Sequence, residues 1–177
     1  EIQMDSIENS TGALKDASIN IKNSCWNKRI NLINENFQNF IPKKKYDLII
    51  SNPPFFSKSL MPENSERLMA RHQEDLNFED ILKFSHKYLE SNGSLNLILP
   101  NGQKDKVHHL SRKYGLYIIR QCIVSPKPNK KPHRILMEFS FNNIETKNEN
   151  LIIEENGRHQ YSEDYKKLTR EFYTIFD

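Results

Sequence analysis

Ser51-Asn52-Pro53-Pro54-Phe55-Phe56 is the stretch whose residue types and spacing can do chemistry. It follows Asp47-Leu48-Ile49-Ile50, a short apolar run that the turn residues stop abruptly. An unbroken apolar run ended in this way predicts a parallel strand buried on both faces. Successive prolines fix φ and supply no backbone N–H, so the segment after the strand is stiff and its carbonyls are left to accept hydrogen bonds from outside. Asn52 adds a side-chain carbonyl acceptor, and Phe55 and Phe56 add flat apolar surface. Ligands of open α/β sheets sit at the carboxyl ends of strands. Rigid acceptors and an aromatic ring at such a place suit a planar ligand that carries an exocyclic amine. The competing account is a plain strand ending in a proline-rich turn, with the Phe pair packed in the core.

The remaining segments say what positions this stretch. Residues 3–8 predict a short strand that ends on the carboxylate of Glu8. Asn9 or Ser10 then caps a helix to about residue 23, with Ala13, Leu14, Ala17 and Ile21 at helical spacing. Residues 29–34 alternate as a second strand, and 35–40 form a connector or short helical turn. The central strand is followed by a long polar loop over residues 57–75. Asn77 caps the next helix with Asp80 in a capping-box relation. Phe78, Ile81, Leu82, Ser85 and Leu89 line one face of it, and Gly93 falls past its end, where a left-handed residue is wanted. Residues 94–99 predict a strand ended by Pro100-Asn101-Gly102, and residues 103–114 a polar helix ended by Gly115. Residues 116–124 and 134–141 predict two strands joined by a Pro- and Lys-rich loop, and residues 151–154 a small strand. Ser162 caps a last helix with Tyr165, Leu168, Phe172, Ile175 and Phe176 on one face. The order β-α-β, then β-α-β-α-β-β, predicts an α/β sheet whose last pair is antiparallel.

At 177 residues the chain is one domain's worth, with 28% charged and 36% hydrophobic residues. No apolar run approaches the ~20 residues that span a membrane, and no signal peptide is recognised. Cys25 and Cys122 are too few for a disulfide framework, and no Cys/His spacing matches a zinc site. A cytoplasmic, reduced, metal-free protein is expected, with a monomer favoured. Net charge is only +3, but the cations cluster. Lys43-Lys44-Lys45 precede the central strand; Lys104, Lys106, His108, His109, Arg112 and Lys113 fill one segment, and Lys127, Lys130, Lys131, His133 and Arg134 another. A solvated surface explains any one cluster, whereas together they fit a nucleic-acid footprint better than a small-molecule enzyme.

Asn52-Pro53-Pro54-Phe55 resembles the motif with which amino-group methyltransferases bind the amine of adenine, cytosine or glutamine. Residues 21–32 (IKNSCWNKRINL), 51–60 (SNPPFFSKSL), Ala70-Arg71-His72, Pro132-His133-Arg134-Ile135-Leu136 and the ending YSEDYKKLTREFYTIF narrow the likeness. Over essentially the whole chain they resemble the bacterial tRNA(Val) (adenine-N6)-methyltransferases, class I enzymes that use S-adenosyl-L-methionine and modify the adenine 3′ of the anticodon. The resemblance implies a Rossmann-like class I methyltransferase sheet of the α/β class, mostly parallel with an antiparallel C-terminal strand. Residues 1–177 would form a single domain. It implies that Asn52, Pro53, Pro54 and Phe55 are catalytic, with Asn52 also near the cofactor. Phe55 stacks on the target base beside Phe56, and Arg71 and His72 close over the base, touch phosphate, or form a structural ion pair. Lys130, Lys131 and Arg134 would bind the anticodon stem-loop of the tRNA. Glu8 falls where the family holds both ribose hydroxyls of S-adenosyl-L-methionine; an exposed strand-end carboxylate is the bland alternative. Asn36 falls where the family has an acidic residue beside the cofactor adenine, and Asn still accepts from an adenine amine.

The family's first strand and its Gly-rich loop, which cradles the methionine end of the cofactor, are expected to precede Glu1. Gly12, Gly93, Gly102, Gly115 and Gly157 are the only glycines, and none forms a G-x-G loop. The same motif also suits adenine in DNA, a base in rRNA or a glutamine amide, although a DNA enzyme would want a separate target-recognition domain. A catalytically inactive RNA-binding module is the remaining alternative.

Overall fold

The computed structural model describes residues 2–53 and 77–176. The chain divides between Lys43 and Lys44 into two compact units. In the first, strand β1 (Met4–Glu8) and strand β2 (Ile30–Asn34) pair in parallel, Met4 opposite Ile30 and Glu8 opposite Asn34. Helix α1 (Thr11–Asn23) makes the crossover that a parallel pair requires. Ser10 occupies the N-cap with extended backbone, but its side chain makes no capping bond. Glu8 Oε1 does the work instead, accepting the N–H groups of Asn9 and Ser10 at 2.9 and 2.8 Å. Leu14, Ala17 and Ile21 are half-buried on α1, while Ala13, expected on the same face, is exposed.

The second unit is a five-stranded sheet in the order β3-β4-β6-β5-β7. Its strands are β3 (Tyr46–Ser51), β4 (Leu89–Pro100), β5 (Tyr117–Ser125), β6 (Arg134–Ser140) and β7 (Lys147–Ile152). Helices α2 (Phe78–Tyr88), α3 (Lys104–Lys113) and α4 (Glu163–Thr169) complete the unit. β3 and β4 are parallel, β6 runs antiparallel to both β4 and β5, and β7 is parallel to β5. Slotting the antiparallel β6 between β4 and β5 sends the carboxyl ends of β3, β4, β5 and β7 to one edge, together with the start of β6.

The core follows from a period of two. Leu95, Leu97 and Leu99 on β4 face Phe139, Met137 and Ile135 on β6, and all are essentially inaccessible. The intervening positions pair Asn96 with Glu138 and Ile98 with Leu136 on the opposite face. Ile81 and Leu82 of α2 and Val107 of α3 are buried as well. Each such side chain contributes about 1.5–3 kcal/mol of hydrophobic stabilisation relative to exposure. α2 starts on the expected capping box: Asp80 N donates to Asn77 Oδ1 at 3.0 Å and Asn77 N to Asp80 Oδ2 at 3.3 Å. Among the described residues no helix is long and apolar enough to cross a membrane.

Four expectations change. The central strand is not buried on both faces: among the described residues β3 pairs with β4 alone, and Leu48 and Ile50 are 51% and 67% exposed. Gly93 is not a left-handed helix terminator. α2 ends at Tyr88, Leu89 already belongs to β4, and a register shift between the Tyr46 and Leu48 pairings places Gly93 inside the strand. There a Cβ would stand 2.9 Å from the Asp47 carbonyl and 3.0 Å from Leu89, so this glycine permits close approach of the two strands. Gly115, with φ +67°, is the left-handed terminator the sequence pattern predicted. The last strand covers residues 147–152 rather than 151–154, since Glu149 and Asn148 bond across to Arg120 and Gln121 on β5. Finally, the C-terminal helix stops at Thr169. The N–H groups of Phe172 and Tyr173 both turn back to the Thr169 carbonyl, at 2.9 and 3.1 Å, and a 3-10 turn (Thr174–Phe176) returns Phe176 to Tyr161 and Tyr165.

Replacing Gly93 by Ala is expected to destabilise the second unit by about 1–3 kcal/mol through this backbone clash. Chemical denaturation followed by far-UV circular dichroism checks it, and an unchanged midpoint would mean that the two strands part without cost.

Candidate active site

Ser51 ends β3 opposite Leu97, and the next two residues leave the sheet at its carboxyl edge. Asn52 is exposed and Pro53 is buried there. The amide side chain therefore reaches solvent from a residue anchored on one side by the strand and on the other by a packed proline ring. β4 runs on to Pro100, which lies opposite Arg134, the first residue of β6. The backbone ties the edge together: Asn101 N donates to His133 O at 3.1 Å, His133 N to Val124 O at 3.1 Å, and Lys130 N to Lys127 O at 3.1 Å. Lys130, Lys131 and Arg134 are exposed on this framework, with Arg134 Nη1 donating to the His133 carbonyl at 3.2 Å. One sheet edge thus gathers Asn52, Pro53, Lys130, Lys131 and Arg134.

Glu8 and Asn36 lie in the first unit, at the carboxyl end of its own parallel pair. Glu8 is opposite Asn34, and Glu35 N donates to the Glu8 carbonyl at 3.2 Å, which brings Asn36 beside it in the chain. Asn36 Oδ1 accepts from Gln38 N at 3.0 Å, an Asx turn that orients the amide and leaves its second lone pair. Pro54, Phe55, Phe56, Arg71 and His72 lie outside the described residues.

Not every cation in the basic segments faces a ligand. Lys113 Nζ donates to Glu79 Oε1 at 2.7 Å, and Tyr114 Oη donates to the same oxygen at 2.8 Å, which lowers the Glu79 pKa and raises that of Lys113. Arg112 lies over the Tyr117 ring at 4.5 Å. These two residues hold α3 to α2 and β5, so a structural account fits that part of the segment better than a phosphate footprint. Arg120 of β5 and Lys147 of β7 both bond Glu149 of β7 and push its pKa down to about 2.

Two features of this edge were not singled out from sequence. Asn101 Oδ1 is buried just past β4 without a hydrogen-bond partner among the described residues; the turn signal Pro100-Asn101-Gly102 marked the place but not the acceptor. The other is an aromatic group beyond β7. Tyr161 and Tyr165 stack with centroids 5.4 Å apart, and Phe176 stands edge-on to Tyr161 at 5.3 Å. Tyr165 and Phe176 had been expected on a single helical face, and Tyr161 lies outside that pattern. Glu154 joins this group to the basic loop: one carboxylate oxygen accepts His159 N at 2.9 Å and the other faces Lys127 Nζ at 3.4 Å. His159 is held at φ 63°, an uncommon conformation for a residue with a side chain.

The His159 N–H and then Lys127 lower the Glu154 pKa below the ordinary carboxylate value. A depressed folded pKa contributes stability above the unfolded value of about 4.3 and loses it as pH falls through the folded one. The His159 amide resonance is therefore expected to titrate at a pH below that of an ordinary Glu, and to lose this step in Glu154→Gln; an amide shift indifferent to pH would contradict the tie.

Solved structures share the fold. A predicted O-methyltransferase from Agrobacterium tumefaciens matches with TM-score 0.66 at 17% identity, covering 94% of this chain and 76% of that one. The glycopeptide N-methyltransferase MtfA, solved with S-adenosyl-L-methionine, matches with TM-score 0.55 at 11% identity over 78% of this chain and 77% of its own. The fold is the Rossmann-like α/β fold of these neighbours. Residues 1–119 match the methyltransferase small domain family. The tRNA1(Val) (adenine(37)-N6)-methyltransferase of Bacteroides thetaiotaomicron is 38% identical over 94% of this chain and 70% of its own length. Its counterparts in Flavobacterium psychrophilum and Vibrio campbellii are 31% and 30% identical, each over 97% of this chain and over 74% and 71% of their own lengths. The chain belongs to this methyltransferase family.

Proposed function

We propose that the protein transfers a methyl group to N6 of adenine 37 in tRNA1(Val), the reaction for which its relatives are named, with residues 1–177 serving as one methyltransferase domain. The observation that carries this reading is the placement of Asn52 and Pro53 at the carboxyl end of β3, on the edge that also presents Lys130, Lys131 and Arg134. An exocyclic amine and a polyanionic backbone are the two things such an edge recognises.

The donor and acceptor set fits S-adenosyl-L-methionine. Glu8 is a carboxylate already oriented by two backbone N–H groups, ready to accept from a ribose diol, and Asn36 keeps a lone pair for an adenine amine. When bound, the cofactor supplies an electrophilic methyl group on sulfonium. The chain's task is to present the nucleophile. Adenine N6 is weakly nucleophilic because its lone pair is delocalised into the ring. Asn52 Oδ1 and the Pro53 carbonyl each accept one N6–H, which draws the nitrogen toward tetrahedral geometry and stabilises the positive charge that develops on it. No strong base is required, since that proton becomes acidic as the charge develops. Phe55 stacks on the unstacked base, a contact worth about 1–3 kcal/mol. Extruding the base costs a few kcal/mol, which Lys130, Lys131 and Arg134 offset through phosphate contacts on the anticodon stem-loop. Acting on tRNA, the protein would work in the cytoplasm.

Asn52→Ala is expected to lower kcat for tRNA methylation by at least about 10²-fold, the scale of one lost transition-state hydrogen-bonding group, while tRNA affinity stays unchanged. Single-turnover kinetics and fluorescence anisotropy on the same preparations check the two halves. Retained turnover would remove Asn52 from the mechanism.

A further inference from the structure

The aromatic group beyond β7 borders an open cavity of about 280 Å³, lined by His159, Tyr161, Lys166, Ile175 and Phe176. This is near the lower end of ligand pockets, which run from about 300 to 1,000 Å³. Two of its lining rings are set at a corner, Phe176 meeting Tyr161 at 89°, and Tyr161 is backed by Tyr165, on which it stacks at 22°. The Lys166 ammonium that borders it is paired with Glu163 at 2.8 Å. Its remaining lining is mostly aromatic and aliphatic, which suits a flat, uncharged group. The loop joined to it through Glu154 is the opposite, carrying exposed Lys130 and Lys131. Stacking surface beside a cationic track is the composition that binds single-stranded nucleic acid.

We infer that this cavity is a second base subsite, taking up one nucleobase of the RNA strand whose target adenine is held at Asn52. The inference rests on the proposed tRNA substrate. Position along the edge sets the spacing. From β3 through β4, β6 and β5 to β7 is four lateral steps of about 4.8 Å, roughly 19 Å in all. At roughly 3.4 Å per stacked nucleotide that distance spans on the order of half a dozen residues of strand. The captured base therefore belongs to the surrounding anticodon arm rather than to an immediate neighbour of the target, and the phosphates between cross Lys130 and Lys131. The subsite acts as a ruler: an RNA long enough to reach it binds more tightly than one that stops short.

The test compares the full-length protein with Phe176→Ala and His159→Asn, using a tRNA1(Val) transcript and a short oligonucleotide that carries the target adenine with only its adjacent residues. Anisotropy is expected to show about tenfold weaker tRNA binding in Phe176→Ala, the size of one lost stack. Affinity for the short oligonucleotide and kcat at saturation should match wild type, and Phe176→Tyr should restore tRNA binding. If Phe176→Ala loses its cooperative melting transition, His159→Asn carries the test, because His159 is exposed and Asn tolerates its positive φ. Variants that bind tRNA as wild type does would overturn the subsite while leaving the methylation reading intact. Loss of a dimer in Phe176→Ala with tRNA affinity unchanged would overturn it in favour of a second copy of the chain. Weaker tRNA binding in the variants of a protein that transfers no methyl group would uphold the subsite and sink the methylation reading.

Discussion

Strand β4 is hydrogen-bonded along both of its edges, parallel to β3 and antiparallel to β6, and its alternate leucines form the centre of the larger core. That double pairing holds Asn52 and Arg134 to the same sheet edge. Were β6 parallel to β4, the Lys-rich loop before it would lie at the opposite end of the sheet from Asn52. A one-residue slip would be equally damaging, since the period of two would exchange Leu95, Leu97 and Leu99 for Asn96, Ile98 and Pro100 on the core face. Burial of the leucines thus does more than stabilise the unit. It sets the register that brings an amide acceptor and a group of cations to one edge.

Chemistry at that edge is inexpensive for the fold to supply. Two carbonyl oxygens on a stiff segment can polarise an amine without a titrating base, and no buried charge has to be desolvated to make them. The charged groups of the larger unit are used differently. Glu79 binds α3 to α2 through Lys113 and Tyr114, Glu149 ties β7 to β5, and Glu154 fixes the base of the cationic loop. These pairs lie at the surface, with Glu149 and Glu154 half-buried, and are individually weak. They add side-chain ties between neighbouring elements, as Glu149 does across the paired strands β5 and β7.

Much of this was legible in the residues. The Asn77–Asp80 capping box, the left-handed Gly115 and the Ser162 cap are local signals, and each appears where the pattern predicts. The stop after Ile50 was also legible, since β3 ends at Ser51 and Asn52 and Pro53 follow it out of the sheet. What failed depended on partners distant in sequence. Leu48 and Ile50 look like a doubly buried strand, but burial depends on how many neighbours a strand has, and β3 has one described neighbour. Gly93 reads as a helix terminator until β4 is seen to begin at Leu89, after which the Asp47 carbonyl explains it. The last helix carries a persistent apolar period, yet packing Phe176 against Tyr161 competes with extending it. The buried Asn101 acceptor and the aromatic corner left no local signature, since both arise from strand order.

The central claim is that the edge carrying Asn52 directs methyl transfer to one amine of one base. The most direct measurement is to incubate the full-length protein with methyl-labelled S-adenosyl-L-methionine and unmodified tRNA1(Val), digest the product with nucleases and locate the label by mass spectrometry. The account predicts N6-methyladenosine at position 37 and no label in a transcript with guanine there, as the names of the relatives specify. Label on a ring nitrogen, on a ribose oxygen or at another position would contradict it.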